Sequence, residues 1–134
     1  MSTNSTISVV QTDGKVKSIY CHWDGYPSHN GKMLLEHYNS VDKANEVVAL
    51  GSLSALNKNL IPSKDSKHSF ETPEEDVVIA YHRDRGEDFQ QNEFKDLADF
   101  EKNGDFQQYN YLFKNGKWYV NNKLLTKKMV NEKE

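Results

Sequence analysis

The chain has 134 residues, which is enough for one domain. Its formal net charge is -3, which argues against broad electrostatic binding to nucleic acid, because such binding needs a strongly basic surface. No apolar run is long enough to span a bilayer. Residues 1–6 lack the basic and apolar regions of a signal peptide. The single Cys21 excludes an internal disulfide and fits a reducing compartment.

Two dipeptides predict β-hairpins near the ends of the chain. Asp13-Gly14 separates the strand-like runs 7–11 and 15–23, and both of its residues favour a type I′ turn, which needs positive φ. A two-residue loop there predicts three strand pairs: Gln11 with Val16, Val9 with Ser18, and Ile7 with Tyr20. In this register Ile19 and Cys21 lie on the face opposite Ile7 and Val9.

The second hairpin signal is Asn115-Gly116, between the runs 109–114 and 117–121. It pairs Phe113 with Trp118, Tyr111 with Val120, and Leu112 with Tyr119. Aromatic cross-strand pairs of this kind stabilise a sheet by about 0.2–1 kcal/mol each.

The segments between the hairpins predict helices, a long loop and one more strand. Helices are expected over 32–38, over 41–50 with Ser40 as the N-cap, and over about 93–102 with Asn92 as the N-cap. Residues 52–56 are interpreted as a further helical turn and 57–76 as a loop. Residues 77–84 contain the run Val-Val-Ile-Ala-Tyr and predict a strand.

This order favours an α+β fold. We expect an antiparallel sheet built from the two hairpins and the central strand, with about three helices packed mainly on one face. The chain is predicted to be a single domain over 1–134, with flexible tails at 1–6 and at about 123–134.

Functional side chains concentrate in a segment at the end of the predicted central strand: Tyr81, His82, Arg83, Asp84 and Arg85. Strand periodicity places Tyr81, Arg83 and Arg85 on one side. Guanidinium groups donate paired hydrogen bonds to phosphate or carboxylate, so the two arginines predict an anion site. The alternative is that they pair with the acids of their own loop.

A second segment, 22–26, follows the first hairpin. His22 and Asp24 fall on one side of the strand, where a carboxylate can fix the tautomer of an imidazole. Trp23 and Tyr26 can stack on a base or sugar ring, although core packing is the safer interpretation for Trp23. Cys21 faces the other way and is predicted to be a packed thiol.

The five histidines are scattered, and no HExxH, CxxC, Walker A or GxGxxG motif is present. We therefore predict no metal, no cofactor and no catalytic set. The predicted ligand-binding residues are the following: His22, Trp23, Asp24, Tyr26, Tyr81, His82, Arg83, Asp84 and Arg85.

Two strings of residues are distinctive: Tyr20-Cys21-His22-Trp23-Asp24-Gly25-Tyr26-Pro27 and Ala80-Tyr81-His82-Arg83-Asp84-Arg85-Gly86-Glu87. With these strings the chain resembles a family of small accessory proteins of tailed bacteriophages. The match covers most of residues 7–120. The resemblance implies the cytoplasm of a bacterial host and a role in host takeover or counter-defence. It implies no catalytic residues.

The leading hypothesis is a binding protein that sequesters a phosphate-bearing, nucleotide-like ligand. We expect this protein to bind neither a membrane nor nucleic acid. A homo-oligomer is compatible with this hypothesis. One alternative is a nucleotide hydrolase or phosphoesterase with His22 or His82 as the acid or base. The other is an inhibitor that binds a host protein through the acidic stretches 71–76 and 84–88. Both alternatives stay open at this point.

Overall fold

The computed structural model describes residues 3–131, and within them the chain forms an α+β fold with one mixed sheet of eight strands. The strands are β1 (Ser5–Val10), β2 (Val16–Cys21), β3 (Leu53–Ala55), β4 (Ile79–Ala80), β5 (Asn92–Phe94), β6 (Tyr109–Lys114), β7 (Lys117–Val120) and β8 (Lys123–Leu124). The helices are α1 (Lys32–His37), α2 (Val41–Val48), α3 (Tyr81–Arg85), α4 (Leu97–Asn103) and α5 (Lys127–Asn131), and a π-helical turn at Pro27–Gly31 precedes α1. The strand order is β4-β3-β2-β1-β6-β7-β8, and β5 pairs with β2.

The sheet is mixed, which corrects the predicted antiparallel arrangement. Both hairpins are antiparallel, but β1 pairs with β6 in parallel, and β2 pairs with β3 in parallel. A turn motif determines only how the two strands beside it pair. The parallel contacts join strands far apart in sequence, and crossover connections with helices make them possible.

The first hairpin forms, but its predicted register is wrong by one residue. The Gln11 N–H donates to the Lys15 carbonyl at 2.7 Å, and Gly14 has a φ of 89°. This is a three-residue loop in which a type I turn is followed by a left-handed glycine. The observed register pairs Val9 with Lys17, and Ile7 with Ile19. Because a one-residue slip reverses the faces of a strand, Ile19 and Cys21 join Ile7 and Val9 in one core.

The second hairpin matches its prediction pair for pair. Asn115 and Gly116 have φ values of 52° and 77°, as a type I′ turn requires. The observed pairs are Phe113 with Trp118, Leu112 with Tyr119, and Tyr111 with Val120.

Two of the predicted helices also form. Helix α1 spans Lys32–His37, and α2 begins after Ser40, whose hydroxyl accepts from the Lys43 N–H at 3.2 Å. Buried residues of both helices and of α5 pack on the sheet face that carries the main core. Helix α4 packs on a separate cluster through Phe100.

Three interior segments differ from their predictions. Residues 53–55 form strand β3 instead of a helical turn, because they pair with Cys21 and Ala80. The central strand ends at Ala80, and Tyr81–Arg85 is helical. The helix predicted from 93 begins only after Asp96, whose carboxylate accepts from the Asp99 N–H at 2.7 Å.

The loop predicted over 57–76 contains no helix or strand, but its ends are tied to the core. The Tyr38 hydroxyl donates to the Asn57 carbonyl at 2.6 Å, and the Asn57 amide donates to the Val77 carbonyl at 3.0 Å. An isolated bridge joins Asn59 with Val77.

The predicted tails differ from the structure where it describes them. Ser5 and Thr6 belong to β1, and residues 123–131 form β8 and α5. Leu125 and Val130 are buried in the main core, so this segment is packed. Residues 1–2 and 132–134 of the predicted tails lie outside the described residues.

Candidate ligand-binding site

Helix α3 carries five of the predicted site residues and divides them between its faces. The Ala80 N–H donates to the Asp84 carboxylate at 2.8 Å, and Gly86 ends the helix at a φ of 75°. Residues four apart in a helix are neighbours, so Tyr81 and Arg85 share a face. Arg83, which the strand interpretation placed beside them, points elsewhere.

The Arg83 guanidinium is occupied within the fold. It donates to the Leu60 and Val78 carbonyls and forms a two-point contact with Asp84 at 2.9 and 3.0 Å. These contacts attach the start of the long loop to α3. The geometry therefore does not support Arg83 as the phosphate-binding fork that the sequence predicted.

Asp84 is also a structural residue. Its side chain is 5% exposed and lies 3.2 Å from Nε2 of His68, whose own side chain is 2% exposed. Burial works to raise the pKa of the Asp84 carboxyl, but hydrogen bonds from Arg83 and the Ala80 N–H, together with the His68 ring 3.2 Å away, outweigh it and hold the pKa below its ordinary value. Asp84 therefore stays ionised inside this network.

Sequence analysis missed the role of His68. Its Nδ1 accepts the Glu74 N–H at 2.9 Å, so the neutral ring carries its proton on Nε2, facing Asp84. Nothing in the surrounding polar loop sequence distinguishes this histidine, because its two partners lie six and sixteen residues away in the chain.

His22 and Asp24 do not form the predicted imidazole–carboxylate pair. Nδ1 of His22 lies 2.7 Å from the Tyr20 hydroxyl, and Asp24 accepts instead from the Tyr26 hydroxyl at 2.9 Å. Asp24 has a φ of 56° and so turns the chain out of the sheet. The Trp23 ring packs edge-on against His22 at 4.7 Å and is 45% exposed, which makes it a surface aromatic.

Other residues of this sequence segment pack the fold. Gly25 lies so close to the start of β1 that an added Cβ would be 2.8 Å from the Thr3 carbonyl, and its own carbonyl accepts from the Tyr111 hydroxyl at 2.6 Å. Cys21 is fully buried, as predicted, and burial raises the pKa of its thiol to about 11. The buried Asn30 amide donates to the Ser5 hydroxyl at 3.1 Å.

Tyr81 lines a cavity that lies beside the second predicted segment. Its N–H donates to the Ser52 carbonyl at 3.2 Å, and its side chain lines a hollow of about 320 Å³ together with Tyr20, the neighbour of His22. The remaining lining residues are mostly polar and uncharged: Ser18, Ile19, Ser52, Gln90, Gln91, Asn92 and Asp105. We call this cavity the tyrosine hollow.

Both phenols of the tyrosine hollow stay protonated at neutral pH. Burial is the main effect that raises the pKa of Tyr20, and the nearby Tyr81 phenol raises it further. Burial also raises the pKa of Tyr81, against smaller opposing effects that include a hydrogen bond with Ser54 and the charge of Arg85. Each hydroxyl can therefore donate one hydrogen bond and accept others.

The Phe70 ring lies between Tyr81 of the tyrosine hollow and the Arg85 guanidinium. The Phe70 ring lies 5.6 Å from the Tyr81 ring, and the Arg85 guanidinium lies over Phe70 at 4.7 Å. Arg85 has a mostly exposed side chain, and its ion pair with Glu87 is 3.4 Å long. Sequence analysis did not select Phe70, Tyr20 or the amides at 90–92, because no local motif marks them.

The structure thus brings together only part of the predicted set. Tyr81 lines the tyrosine hollow, His22 adjoins it through Tyr20, and Arg85 lies one helical turn away. His82 is exposed, bonds the Glu87 carbonyl at 2.7 Å and packs against Phe89.

Similarity to known proteins gives no assignment. No family model, curated protein or solved structure matches the chain. Among residues 3–131, no three His, Cys, Asp or Glu side chains are grouped to hold a metal ion, and no helix there could cross a membrane.

Proposed function

We propose that the protein is a non-enzymatic binding protein that captures a small nucleotide-like ligand at the tyrosine hollow. The carrying observation is that Tyr81 of the predicted α3 segment and Tyr20, which contacts His22 of the other segment, line one polar cavity. Arg85 lies one helical turn from Tyr81. The resemblance to phage accessory proteins supports a setting in the bacterial cytoplasm, where sequestering a nucleotide signal would serve counter-defence.

The lining chemistry supports an aromatic, polar ligand. A volume of about 320 Å³ is at the small end of ligand pockets. Tyr20 and Tyr81 offer ring faces and neutral hydroxyls, and Asn92 offers both a donor and an acceptor, which suits the edge of a base. Arg85 supplies the positive charge that a phosphate group requires.

The test is a thermal stability screen of the full chain against a panel of nucleoside mono-, di- and cyclic phosphates. A ligand at a hundredfold excess over Kd raises the unfolding free energy by about 2.7 kcal/mol. No stabilisation across the panel would contradict the proposal. Chemical conversion of a bound nucleotide would instead support the hydrolase alternative, so the ligand is released by heat and its mass is measured.

A pair of variants tests the phosphate contact. Arg85→Gln should weaken nucleotide binding by about tenfold to a hundredfold, the range for a lost charged hydrogen bond. The matched control is Lys58→Gln, because Lys58 is similarly exposed and pairs with Asp76 at 3.5 Å. Equal losses in both variants would show that Arg85 makes no specific contact.

A further inference from the structure

One edge of the sheet carries unbalanced positive charge. Residues 106–134 contain six lysines and two glutamates, whereas residues 1–105 contain 11 Lys or Arg against 18 Asp or Glu. Five of these lysines lie in the described part of the chain, and we call them the basic edge: Lys114, Lys117, Lys123, Lys127 and Lys128.

The fold gathers these lysines around the outermost strands. Lys114 and Lys117 face each other across the β6–β7 turn, and Lys123 lies on β8, the last strand of the sheet. The Leu125 N–H then donates to the Trp118 carbonyl at 3.0 Å, which brings the chain back along β7 before α5 begins with Lys127 and Lys128. All except the half-buried Lys114 are exposed.

Within residues 3–131, no acidic side chain forms an ion pair with a lysine of the basic edge. In the described part of the chain, the lysines that form ion pairs are Lys15, Lys43 and Lys58. The acid-rich loop before Val77 lies at the opposite side of the sheet, next to β4. Glu101 lines a cavity with Asn121 and Asn122, which precede Lys123, but it forms no ion pair there.

The width of the sheet separates the basic edge from the acid-rich loop before Val77. Strands lie about 4.8 Å apart, so the six steps from β4 to β8 span about 29 Å. The Debye length is about 8 Å at physiological ionic strength. A polyanion at the basic edge is therefore largely screened from the acids at the far edge.

We propose that the basic edge binds the phosphate backbone of a nucleic acid without sequence preference. Lysine ammonium groups neutralise phosphates as point charges. A protein partner is a poorer fit, because the cores of protein interfaces are depleted in lysine and enriched in arginine and aromatic residues. Both arginines of the chain are in α3, and Tyr119 is covered by the Lys114 ammonium at 5.0 Å. The net charge of -3 obscures this surface because it sums the charges of the whole chain.

The test measures the binding of a fluorescent DNA duplex, and of a single strand of equal length, by anisotropy. Over about 50 to 200 mM salt, log K should fall linearly with log salt, with a slope of up to about -4.5 for five duplex phosphates and about -3.5 for the single strand. The triple variant K123Q/K127Q/K128Q should make the duplex slope shallower by about 2.7. The matched control is K15Q/K43Q/K58Q, which removes three exposed lysines elsewhere.

Several results would overturn the proposal. They are no duplex or single-strand binding at low salt, a slope near zero in the wild type, or an equal loss in the control. Polyglutamate that displaces the DNA at equal charge concentration would assign the surface to an acidic protein instead. Thermal melting verifies that the triple variant is folded, and its response to nucleotides should be unchanged. DNA binding and nucleotide binding can therefore fail independently.

Discussion

Arg83 and Arg85 are two residues apart, but their guanidinium groups have different surroundings. Arg83 bonds two backbone carbonyls and the buried carboxylate of Asp84, whereas Arg85 lies over Phe70 with a mostly exposed side chain. Helical geometry causes the difference, because neighbours two apart on α3 face opposite directions. Arg83 therefore stabilises the fold, whereas Arg85 is the arginine that the proposed function places at the ligand.

Substitution of the two arginines should separate these roles. Arg83→Gln leaves Asp84 buried without its cation and should lower the unfolding free energy by about 2–4 kcal/mol. Arg85→Gln removes one exposed ion pair and should cost less than about 1 kcal/mol. Urea unfolding measures both values. Equal costs for the two variants would contradict the assignment.

Asp84 should make stability depend on acid pH. Its pKa in the folded protein lies below the ordinary 3.8, so its contribution is present above that value and is lost as pH falls through the folded pKa. Asp84→Asn should be less stable than the wild type at neutral pH and should lose less stability on acidification. Urea unfolding across the acid range tests this. Parallel pH profiles for the two proteins would refute it.

At the scale of the elements, sequence patterns predicted a helix or strand correctly where its stabilising contacts are with residues nearby in the chain. The Asn115-Gly116 hairpin and the Ser40-capped helix match their predictions. Predictions failed at 53–55, which pairs with distant strands, and at Tyr81–Arg85, where the Tyr81 N–H bonds the Ser52 carbonyl and Arg83 bonds the Leu60 carbonyl. Propensity is a weak guide when tertiary contacts compete with it.

Strand β8 and α5 should contribute to stability, because Leu125 is 4% exposed in the main core. Leu125→Ala should cost about 2–5 kcal/mol, the usual range for a buried leucine. Its sequence neighbour Leu124 is 44% exposed, and Leu124→Ala should change stability by about 0.5 kcal/mol or less. Urea unfolding compares the two variants. A cost for Leu125→Ala no larger than that for Leu124→Ala would show that this segment is unpacked.

At the scale of the whole molecule, one large core joins both hairpins with α1, α2 and α5. Cys21 lies inside this core, on the strand that pairs with β1, β3 and β5. Access to its thiol therefore reports on opening of the core.

The Cys21 thiol should react slowly with a maleimide reagent near neutral pH. Burial excludes the reagent and raises the thiol pKa to about 11, so little reactive thiolate forms. Labelling should accelerate as urea unfolds the protein, which mass spectrometry can follow. The control is the fully unfolded chain, and rapid labelling of the native protein would contradict a closed core.

The candidate site shows the same division between local and distant information. Of the predicted residues, Tyr81 lines the tyrosine hollow, His22 contacts Tyr20, and Arg85 lies one helical turn from Tyr81. Arg83 and Asp84 instead bond within the fold, and Asp24 holds a turn. Tyr20, Phe70 and Asn92 come from three separate segments. No single segment contains enough information to find them.

The sequence by itself determined the α+β class, the second hairpin with its register, the helices α1 and α2, and a buried thiol at Cys21. These features depend on turn chemistry, capping and periodicity, which act over a few residues. The tertiary structure alone decided the parallel pairing of β1 with β6, the helical end of the central strand and the neighbours of Arg83. Those outcomes depend on contacts between distant residues, whose free energies local patterns do not encode.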